Sequence, residues 1–245
     1  MKISIVTTTK SNTDNVACLI KSVWSIRDEI YEFIIVDAGT PDIEKVIVYD
    51  HHKFITLLDG KGTMRGEGKN IGIKEATGDV IVFLNDDVEI TKEWLPELKR
   101  SLEHSDIVAG YSENPIGKTL SRIPVYIGGQ DITWPTCNIV YRKKVIDEVG
   151  LFDIKMITAE DIEYNCRCIQ KGYVINYNPK MKVHHYHRET FRGFAKQAFW
   201  NGYGRKQFNK RHPELKYQHQ HGLNPKSIFR LGFGILGYLL GDLWK

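Results

Sequence analysis

The sequence predicts an α/β fold, with a mostly parallel, Rossmann-like sheet flanked by helices, and two patterns support this prediction. In the first hundred residues, short apolar runs alternate with stretches in which apolar residues recur at helical spacing. Strands separated by helices are typical of βαβ units, whose strands pair in parallel. The second pattern is a set of polar residues directly after the apolar runs. In parallel sheets, ligands bind beyond these carboxyl ends of the strands.

The predicted elements follow the chain in order. In the first hundred residues, we expect strands at residues 3–7, 33–42 (running into a turn), 54–58 and 79–84. We expect helices at residues 16–26 and 69–78, the second following a glycine-rich loop at residues 60–68 and ending at Gly78. Later elements are less regular: strands at 106–111, 173–179 and 180–187, a strand and helix at 136–150, and helices at 159–172 and 191–208.

The composition is typical of one α/β domain, with or without an appendage. The 245 residues are 42% hydrophobic and 26% charged, which gives no sign of disorder. The four cysteines are too few and too scattered for a disulfide framework, and Cys166 and Cys168 lack the second half of a zinc pattern. Free thiols in a reducing compartment are therefore expected. The opening "MKISIVTTT" has too short an apolar run for a signal peptide, which favours a cytoplasmic location.

The carboxyl-terminal part of the chain is basic. Residues 179–230 contain twelve Lys or Arg residues against two acids, together with six of the nine histidines. Such a segment suits nucleic acid, anionic lipid or phosphate-bearing substrates. The last stretch, "SIFRLGFGILGYLLGDLWK", is apolar, but its core at residues 231–240 is too short to span a bilayer. With residues 191–210 it favours an interfacial membrane helix, the alternatives being packing on the protein's own core or on a second subunit.

Acidic residues follow two of the predicted strands. Asp37 comes after the second strand, and Asn85, Asp86 and Asp87 come after the fourth. Because parallel strands end at one edge of a sheet, we expect these residues to share a crevice. Carboxylates there hold a hard cation such as Mg²⁺ or Mn²⁺. The alternatives are a turn carboxylate at Asp37 and a helix cap before Thr91.

Three further groups are candidates for chemistry. Glu160 and Asp161 precede a helical pattern, where a carboxylate is either a helix cap or a general base. The stretch "VHHYHRE" carries three histidines in four residues, which favours a metal or phosphate role for at least one of them. Trp134 is either an apolar wall against a sugar or a core residue.

The order of these motifs resembles the inverting glycosyltransferases of family 2, which have the GT-A fold, over residues 2–205. A first strand ending in Thr-Thr, an I-I-V-D segment, an R-N-x-G-like segment, a D-x-D-type motif, a G-x-F-D…E-D segment and a final histidine occur in the family's order. In this sequence they are "ISIVTTTK", "IIVDAGTPD", "GKNIG", "NDD", "GLFD" with "ED", and His185.

The resemblance implies a role for each matching residue. On the nucleotide side it implies Thr7, Asp37 (accepting from the base), Lys69 and Asp86, although Asp86 is also suited to orienting its neighbours. It implies Asp87 and His185 as ligands of the metal that holds the diphosphate, Asp161 as the catalytic base, and Asn85, Glu160 and Trp134 as supporting residues.

Two positions depart from the family pattern. Asn85 replaces the first acid of the D-x-D motif, so Asp87 has to provide most of the protein's metal binding. Lys69 replaces an arginine, so it offers a point charge without a planar fork.

The resemblance also implies the reaction and its participants. We expect a Mn²⁺- or Mg²⁺-dependent transfer from a nucleoside-diphosphate sugar, with a uridine diphosphate sugar favoured, to a hydroxyl of a glycan or lipid-linked acceptor. Residues 1–90 would form the nucleotide-binding half, 91–190 the acceptor half, and 191–245 a helical extension. This extension would contact the cytoplasmic membrane face or a second copy of the chain, and no nucleic acid is expected. The alternatives are a sugar-phosphate nucleotidyltransferase and a non-catalytic sugar-nucleotide-binding protein.

Overall fold

A computed structural model of the chain describes residues 1–10, 13–47, 54–115, 124–186, 190–215, 218–219 and 225–244. The strands in these ranges are β1 (Ile3–Thr9), β2 (Glu32–Asp37), β3 (Ile55–Asp59), β4 (Val80–Leu84), β5 (Val88–Ile90), β6 (Ile107–Glu113), β7 (Val125–Ile127), β8 (Gln130–Asp131), β9 (Asn138–Arg142), β10 (Ile175–His185) and β11 (Gln218–His219). The α-helices are α1 (Thr13–Trp24), α2 (Ile43–Ile47), α3 (Arg65–Glu75), α4 (Trp94–Leu102), α5 (Lys143–Val149), α6 (Glu160–Gln170), α7 (Phe191–Arg211) and α8 (Pro225–Leu240). Short 3-10 turns cover Arg27–Glu29 and Gly241–Trp244.

The main sheet has the strand order β3-β2-β1-β4-β9-β6-β10-β5. The pairs β1–β2, β1–β4, β2–β3 and β6–β10 are parallel. β9 runs antiparallel to both of its neighbours, and β5 runs antiparallel to β10. The predicted α/β fold with a mostly parallel sheet is confirmed. A small second sheet, with the order β11-β7-β8, was not predicted because its strands have only two or three residues each.

β4 lies at the centre of the sheet and is buried on both faces. Successive side chains of a strand point to opposite faces, so Val80 and Val82 join the apolar cluster beneath α1 and α4. Ile81 and Phe83 join the cluster on the other face, beneath α3, α5 and α6. This two-sided burial explains why the strand is an unbroken apolar run, and it fixes where the residues that follow Leu84 emerge.

Helix α3 begins four residues earlier than predicted. The predicted loop at residues 60–68 becomes helical from Arg65, and the helix ends at Glu75 rather than Gly78. Glycines disfavour helix in isolation, but here they permit close packing. A Cβ on Gly72 would lie 2.4 Å from Val6 Cγ1 of β1, and one on Gly68 would lie 3.1 Å from Thr8 Cγ2. Tertiary contact with the sheet therefore overrides local propensity.

The two strands predicted at residues 173–179 and 180–187 are one strand, β10. Its register with β6 shifts between Asn178 and Lys182. Pro179 lies in this interval, and a proline has no N–H to give to the ladder, so a bulge accommodates it. Strand β10 ends at His185, and His187 of the predicted histidine group lies outside the described residues.

The carboxyl-terminal extension is helical in its described part, and α7 packs directly against α8. The two backbones approach closely because a Cβ on Gly202 would lie 1.8 Å from Gly234 O, and one on Gly237 would lie 1.8 Å from Phe199 O. None of the helices in the described ranges combines the length and apolar character needed to cross a bilayer. The predicted domain boundary near residue 190 stays a prediction.

Candidate active site

A chain of hydrogen bonds joins the ends of β1, β2 and β4. Asp37 Oδ1 accepts from Thr40 N at 2.7 Å, and the hydroxyls of Thr40 and Thr9 lie 2.9 Å apart. Thr9 Oγ1 in turn donates to Asp86 Oδ2 at 2.7 Å. The structure therefore brings Asp37 and Asp86 to one edge of the sheet, as the parallel topology predicts.

Thr9 is a residue of this edge that the sequence interpretation missed. The interpretation chose Thr7, but Thr7 is fully buried and its hydroxyl has no hydrogen-bond partner among the described residues. Since side chains alternate along a strand, Thr7 and Thr9 share a face, and Thr9 is the one that reaches the strand end. The buried position of Thr7 does not favour the predicted contact of its side chain with a nucleoside. Thr9 is the last residue of the triplet "TTT", so choosing the end of the triplet rather than its start would have identified it.

Asp87 and His185 form the second group of the site. Strand β10 pairs antiparallel with β5, so that His185 lies opposite Val88, and Tyr186 N donates to Asp87 O at 3.0 Å. This pairing holds His185 Nε2 at 2.9 Å from Asp87 Oδ1. The sequence separates the two residues widely, and only the sheet brings them together. Asn85 lies beside them, partly exposed, at the end of β4.

The Asp87 carboxylate favours the imidazolium form of His185 in this arrangement. Burial by itself lowers the pKa of His185, but hydrogen bonds to Asp87 and to Cys137 outweigh it and raise the pKa to about 10. A protonated ring cannot ligate a metal, so metal binding here requires loss of that proton.

The Asp87–His185 pair fits a divalent metal that is shared with a substrate. A carboxylate oxygen and an imidazole nitrogen are suitable ligands for Mn²⁺, and Mg²⁺ in nucleotide sites is held by one or two carboxylates plus phosphate oxygens. The part of the chain that the structure describes contains no group of three or more His, Cys, Asp or Glu residues arranged for a metal.

Lys69 and Glu160 form a buried ion pair. Lys69 Nζ lies 2.5 Å from Glu160 Oε1, and the two side chains are only 7% and 5% exposed. Burial alone raises the pKa of Glu160, but the Lys69 ammonium outweighs this effect and holds the pKa below its usual value. The sequence interpretation had Lys69 facing the nucleotide, whereas in the structure its charge points to Glu160. Lys69 thus links α3 to the start of α6.

Asp161 follows this pair at the first turn of α6. Ala159, the residue directly before α6, has φ 60° and ψ 25°, a left-handed conformation that is unfavourable for a residue with a Cβ. Asp161 is only partly exposed to solvent. Burial raises the pKa of Asp161 to about 6, and repulsion from the Glu160 carboxylate adds to the rise. A carboxyl group with this pKa suits proton transfer near neutral pH.

Asn70 clamps the segment before Asp161 to α3, a role that the sequence interpretation did not assign. Asn70 Nδ2 donates to Phe152 O at 2.8 Å, and Phe152 N donates to Asn70 Oδ1 at 2.9 Å. Gly66 lets the same helix come close, because a Cβ there would lie 3.5 Å from Asp153 O and 3.7 Å from Glu160 Cβ. The motifs "GKNIG" and "GLFD" of the sequence are therefore in direct contact.

Trp134 has features of both predicted alternatives. Its ring is partly exposed and stacks on Tyr177, with centroids 4.6 Å apart and planes 19° from parallel. The rest of the side chain packs against the core cluster beneath α6. Asn165, one helical turn after Asp161, donates to Trp134 O at 2.8 Å, so this backbone is tied to α6.

Comparison with protein families shows which family the chain belongs to. The family described as "Glycosyl transferase family 2" matches residues 4–156, more than half of the chain. The chain belongs to glycosyl transferase family 2. A related family, "Glycosyl transferase family group 2", matches residues 121–241. The first match covers Asp37, Asp86, Asp87 and Lys69, and the second covers Asp161 and His185. The family that the motifs resembled is therefore confirmed.

The chain is distantly similar to several curated glycosyltransferases. The chain is 26% identical over 223 residues to a pre-mycofactocin glycosyltransferase of Mycobacterium tuberculosis, a match that covers 82% of this chain. It is 24% identical over 166 residues to the glycosyltransferase AglE of Haloferax volcanii, covering 60% of this chain. The chain spans about half the length of these relatives, 46% and 54% respectively.

Solved structures share the GT-A fold. The mannosyltransferase PcManGT of Pyrobaculum calidifontis, in complex with GDP-Man and Mn²⁺, superposes with a TM-score of 0.69 at 11% identity. That match covers 99% of this chain and 75% of PcManGT. TarS 1–349 of S. aureus, in complex with UDP-GlcNAc, superposes with a TM-score of 0.62 at 17% identity, covering 88% of this chain and 74% of TarS.

Proposed function

We propose that the chain transfers a sugar from a nucleoside-diphosphate sugar to an acceptor hydroxyl, with inversion at the anomeric carbon. The observation that carries this proposal is Asp161, a carboxylate at the start of α6 with a pKa raised to about 6 by burial and by Glu160. A general base is most effective when its pKa lies near the working pH. Two further observations support the proposal: the chain belongs to family 2, and Asp87 pairs with His185 at the main sheet.

Asp161 would take the proton of the acceptor hydroxyl while its oxygen attacks the anomeric carbon. The nucleoside diphosphate leaves from the opposite face, so a single displacement inverts the configuration. The proton stays on the Asp161 carboxyl group until it passes to solvent. The Lys69 ammonium offsets much of the negative charge of Glu160. The repulsion between Glu160 and Asp161 is therefore weakened, and Asp161 can ionise near neutral pH.

The opposite end of the site would hold the nucleoside diphosphate. Asp37, Thr9 and Asp86 line the sheet edge that would take the nucleoside, and Asp87 with His185 would hold a Mn²⁺ or Mg²⁺ ion. Such an ion stabilises negative charge developing on the diphosphate. A uridine diphosphate sugar is the donor to test first. A guanosine diphosphate sugar is the comparison, because the similar structures contain UDP-GlcNAc in one case and GDP-Man in another.

An Asp161→Asn variant tests the proposal. It should bind UDP and Mn²⁺ like the parent but lose sugar transfer by about 100-fold or more, the range ascribed to general base catalysis. Donor binding is measured by thermal shift, and transfer by release of UDP in the presence of a hydroxyl acceptor. Asp147→Asn, at an exposed carboxylate paired with Lys143, is the matched control and should keep the parental rate.

Transfer by Asp161→Asn at the parental rate would refute the base assignment. UDP binding by the parent without transfer to any acceptor would favour a non-catalytic binding protein.

We further propose that α8 docks on an anionic membrane surface. Its glycines at 234 and 237 face α7, so its large apolar side chains point outward.

 Among the 16 residues of α8, the charged ones are Lys226 and Arg230. A helix that is apolar on almost all sides and not buried in a core is typical of a membrane-associated segment.

The exposed apolar side chains of α8 and of the turn after it are Phe229 (59%), Leu231 (48%), Ile235 (50%), Leu236 (45%), Tyr238 (39%), Leu239 (63%), Leu240 (40%) and Leu243 (79%). Two exposed cations, Arg192 and Lys196, lie on the adjoining helix α7. The positive charge of these residues complements anionic headgroups, and the leucines suit the acyl region of a bilayer. An anionic bilayer is therefore the proposed partner of this surface. A second copy of the chain is the other occupant that the test has to distinguish.

A further inference from the structure

A cationic cavity lies beside the loop that precedes α6. It is a volume of about 220 Å³ between the loop before α6, the second half of α7 and the turn after α8. Four cations line it: Lys155, Lys206, Lys210 and Arg211. Asp242 is the acid of the lining. None of these residues has a part in the proposed sugar transfer.

The walls of the cavity are held in place by hydrogen bonds and packing. Gln207 Oε1 accepts from Ile157 N at 3.0 Å, and Gln207 Nε2 donates to Lys155 O at 3.1 Å, so α7 is fixed to the loop. On the other wall, Tyr203 donates from its hydroxyl to Asp242 Oδ1 at 3.1 Å. The cations therefore project from a defined framework.

Positive charge exceeds negative charge in this cavity. Lys206 Nζ lies 2.7 Å from Asp242 Oδ2, and Lys210 Nζ lies 3.8 Å from the same oxygen. Arg211 pairs with Asp153 at 2.5 Å. Even with Asp153 counted, four cations face two carboxylates. The hydrogen bond from Lys206 lowers the pKa of Asp242 to about 2, as expected in a positive field. A doubly charged anion would balance the excess.

Exposed leucines lie close in the chain to the cavity residue Asp242. Leu239, Leu240 and Leu243 are within three residues of Asp242 along the chain, and they are 63%, 40% and 79% exposed. An anion bound in the cavity would therefore have exposed leucines within three residues of the lining residue Asp242. Phosphate groups carried by a hydrocarbon chain match both features, since Lys and Arg bind phosphate oxygens and leucines bind the chain.

We propose that this cavity binds the phosphate of an anionic lipid whose hydrocarbon chain lies along the leucines of α8. The assignment to a lipid rests on the proposed membrane contact of α8. Phosphate binding itself depends only on the cations. The site is separate from the sugar-transfer residues, but Lys155 of its lining belongs to the loop that leads into α6, where Asp161 lies.

Four soluble probes and one double variant test the proposal by isothermal titration below the critical micelle concentration. Dodecyl phosphate carries both features, inorganic phosphate and pyrophosphate carry only the charge, and dodecyl maltoside carries only the chain. The parent should bind dodecyl phosphate at least tenfold more tightly than each of the other three. Lys155→Gln/Lys210→Gln should weaken dodecyl phosphate binding about tenfold, because it removes two cations and keeps the ion pairs of Lys206 and Arg211.

Lys74→Gln/Lys171→Gln is the matched control, since it removes two exposed lysines outside the cavity lining. It should bind dodecyl phosphate like the parent. Equal binding of dodecyl phosphate by the cavity variant and the parent would overturn the site. Equal affinity for phosphate and dodecyl phosphate would overturn the lipid assignment. Thermal shift with UDP and Mn²⁺, run on the same proteins, reports on the donor site separately, so a failure of the proposed sugar transfer is distinguishable from a failure of the cavity.

Discussion

The charges of Lys69, Glu160 and Asp161 determine the pH range in which the proposed base works. The pKa of Asp161 is raised to about 6, so the carboxylate is protonated as the pH falls through that value. Since a protonated carboxyl cannot accept the hydroxyl proton, the parent should retain about a tenth of its plateau kcat/KM at pH 5.

A Glu160→Gln variant tests the cause of this raised pKa. It removes the carboxylate that repels the ionised form of Asp161 and keeps the Lys69 charge, which favours it. The pKa of Asp161 should fall, and the acid limb of kcat/KM against pH should move to lower pH. Glu75→Gln, at the exposed end of α3, is the control and should leave the limb where it is. An acid limb unchanged in Glu160→Gln would show that Glu160 does not influence the base.

An Asp87→Ala variant tests whether Asp87 binds the metal. In the parent, UDP with Mn²⁺ at about 100 times its dissociation constant should raise the melting temperature by roughly 5–10 °C. Chelator should reduce this rise. In Asp87→Ala, Mn²⁺ and chelator should give the same small shift, because one of the two proposed protein ligands is gone. Asp28→Ala, at an exposed carboxylate, should behave like the parent. A parental response to Mn²⁺ in Asp87→Ala would remove Asp87 from the metal site.

At the scale of elements, glycines determine how closely helices approach their neighbours. Gly72 lets α3 lie on β1, and Gly202 lets α7 touch the backbone of α8 at Gly234. In both cases a Cβ would overlap atoms that are held in place. The low helix propensity of glycine is thus offset by contacts that larger residues would prevent.

Two alanine substitutions in the helical hairpin separate packing from propensity. Gly202→Ala should destabilise the protein by about 1–3 kcal/mol, because its Cβ meets the backbone of α8. Gly232→Ala should be neutral or stabilise by up to about 1 kcal/mol, since nothing lies within 4 Å of its Cβ position and alanine favours helix. Thermal and urea unfolding measure both. Equal stability of the two variants would contradict the close contact of α7 with α8.

At the scale of the whole molecule, the described structure combines a sheet that carries the site with a helical hairpin whose outer surface is apolar. Gly204 of α7 packs on Thr158 and Ala159, directly before the α6 residues Glu160 and Asp161. The hairpin therefore contacts the loop that leads to the proposed base. A membrane bound to α8 would hold that loop near the membrane surface.

Vesicle sedimentation tests the membrane contact. The parent should bind vesicles containing phosphatidylglycerol and lose binding as salt is added, and it should bind phosphatidylcholine vesicles weakly. Leu239→Ser/Leu243→Ser should weaken binding by removing apolar anchors that are 63% and 79% exposed. Leu57→Ser, at a partly exposed leucine of β3, is the control. Absence of vesicle binding, with a dimer in sedimentation velocity that Leu239→Ser/Leu243→Ser abolishes, would show that a second copy covers α8.

Residue patterns were sufficient to predict several strands of the main sheet and several of the helices beside it. Alternating apolar runs and helical spacing depend on neighbours in the chain, so β1, β4 and α6 could be predicted from local sequence. The boundaries of α3 could not, because its glycines fit a helix only when β1 lies against them. The single strand β10 also depends on pairing with β6 and β5, which local patterns do not contain.

The sequence by itself determined the fold class, the family and the acidic residues at the strand ends, because these depend on residue type and order. Only the tertiary structure decided which groups are partners. It joined Asp87 to His185 across β5 and β10, and it turned Lys69 toward Glu160. It also buried Thr7 and brought Thr9 to Asp86. Ion pairs and hydrogen bonds act over a few ångströms, and only folding brings residues far apart in the chain within that distance.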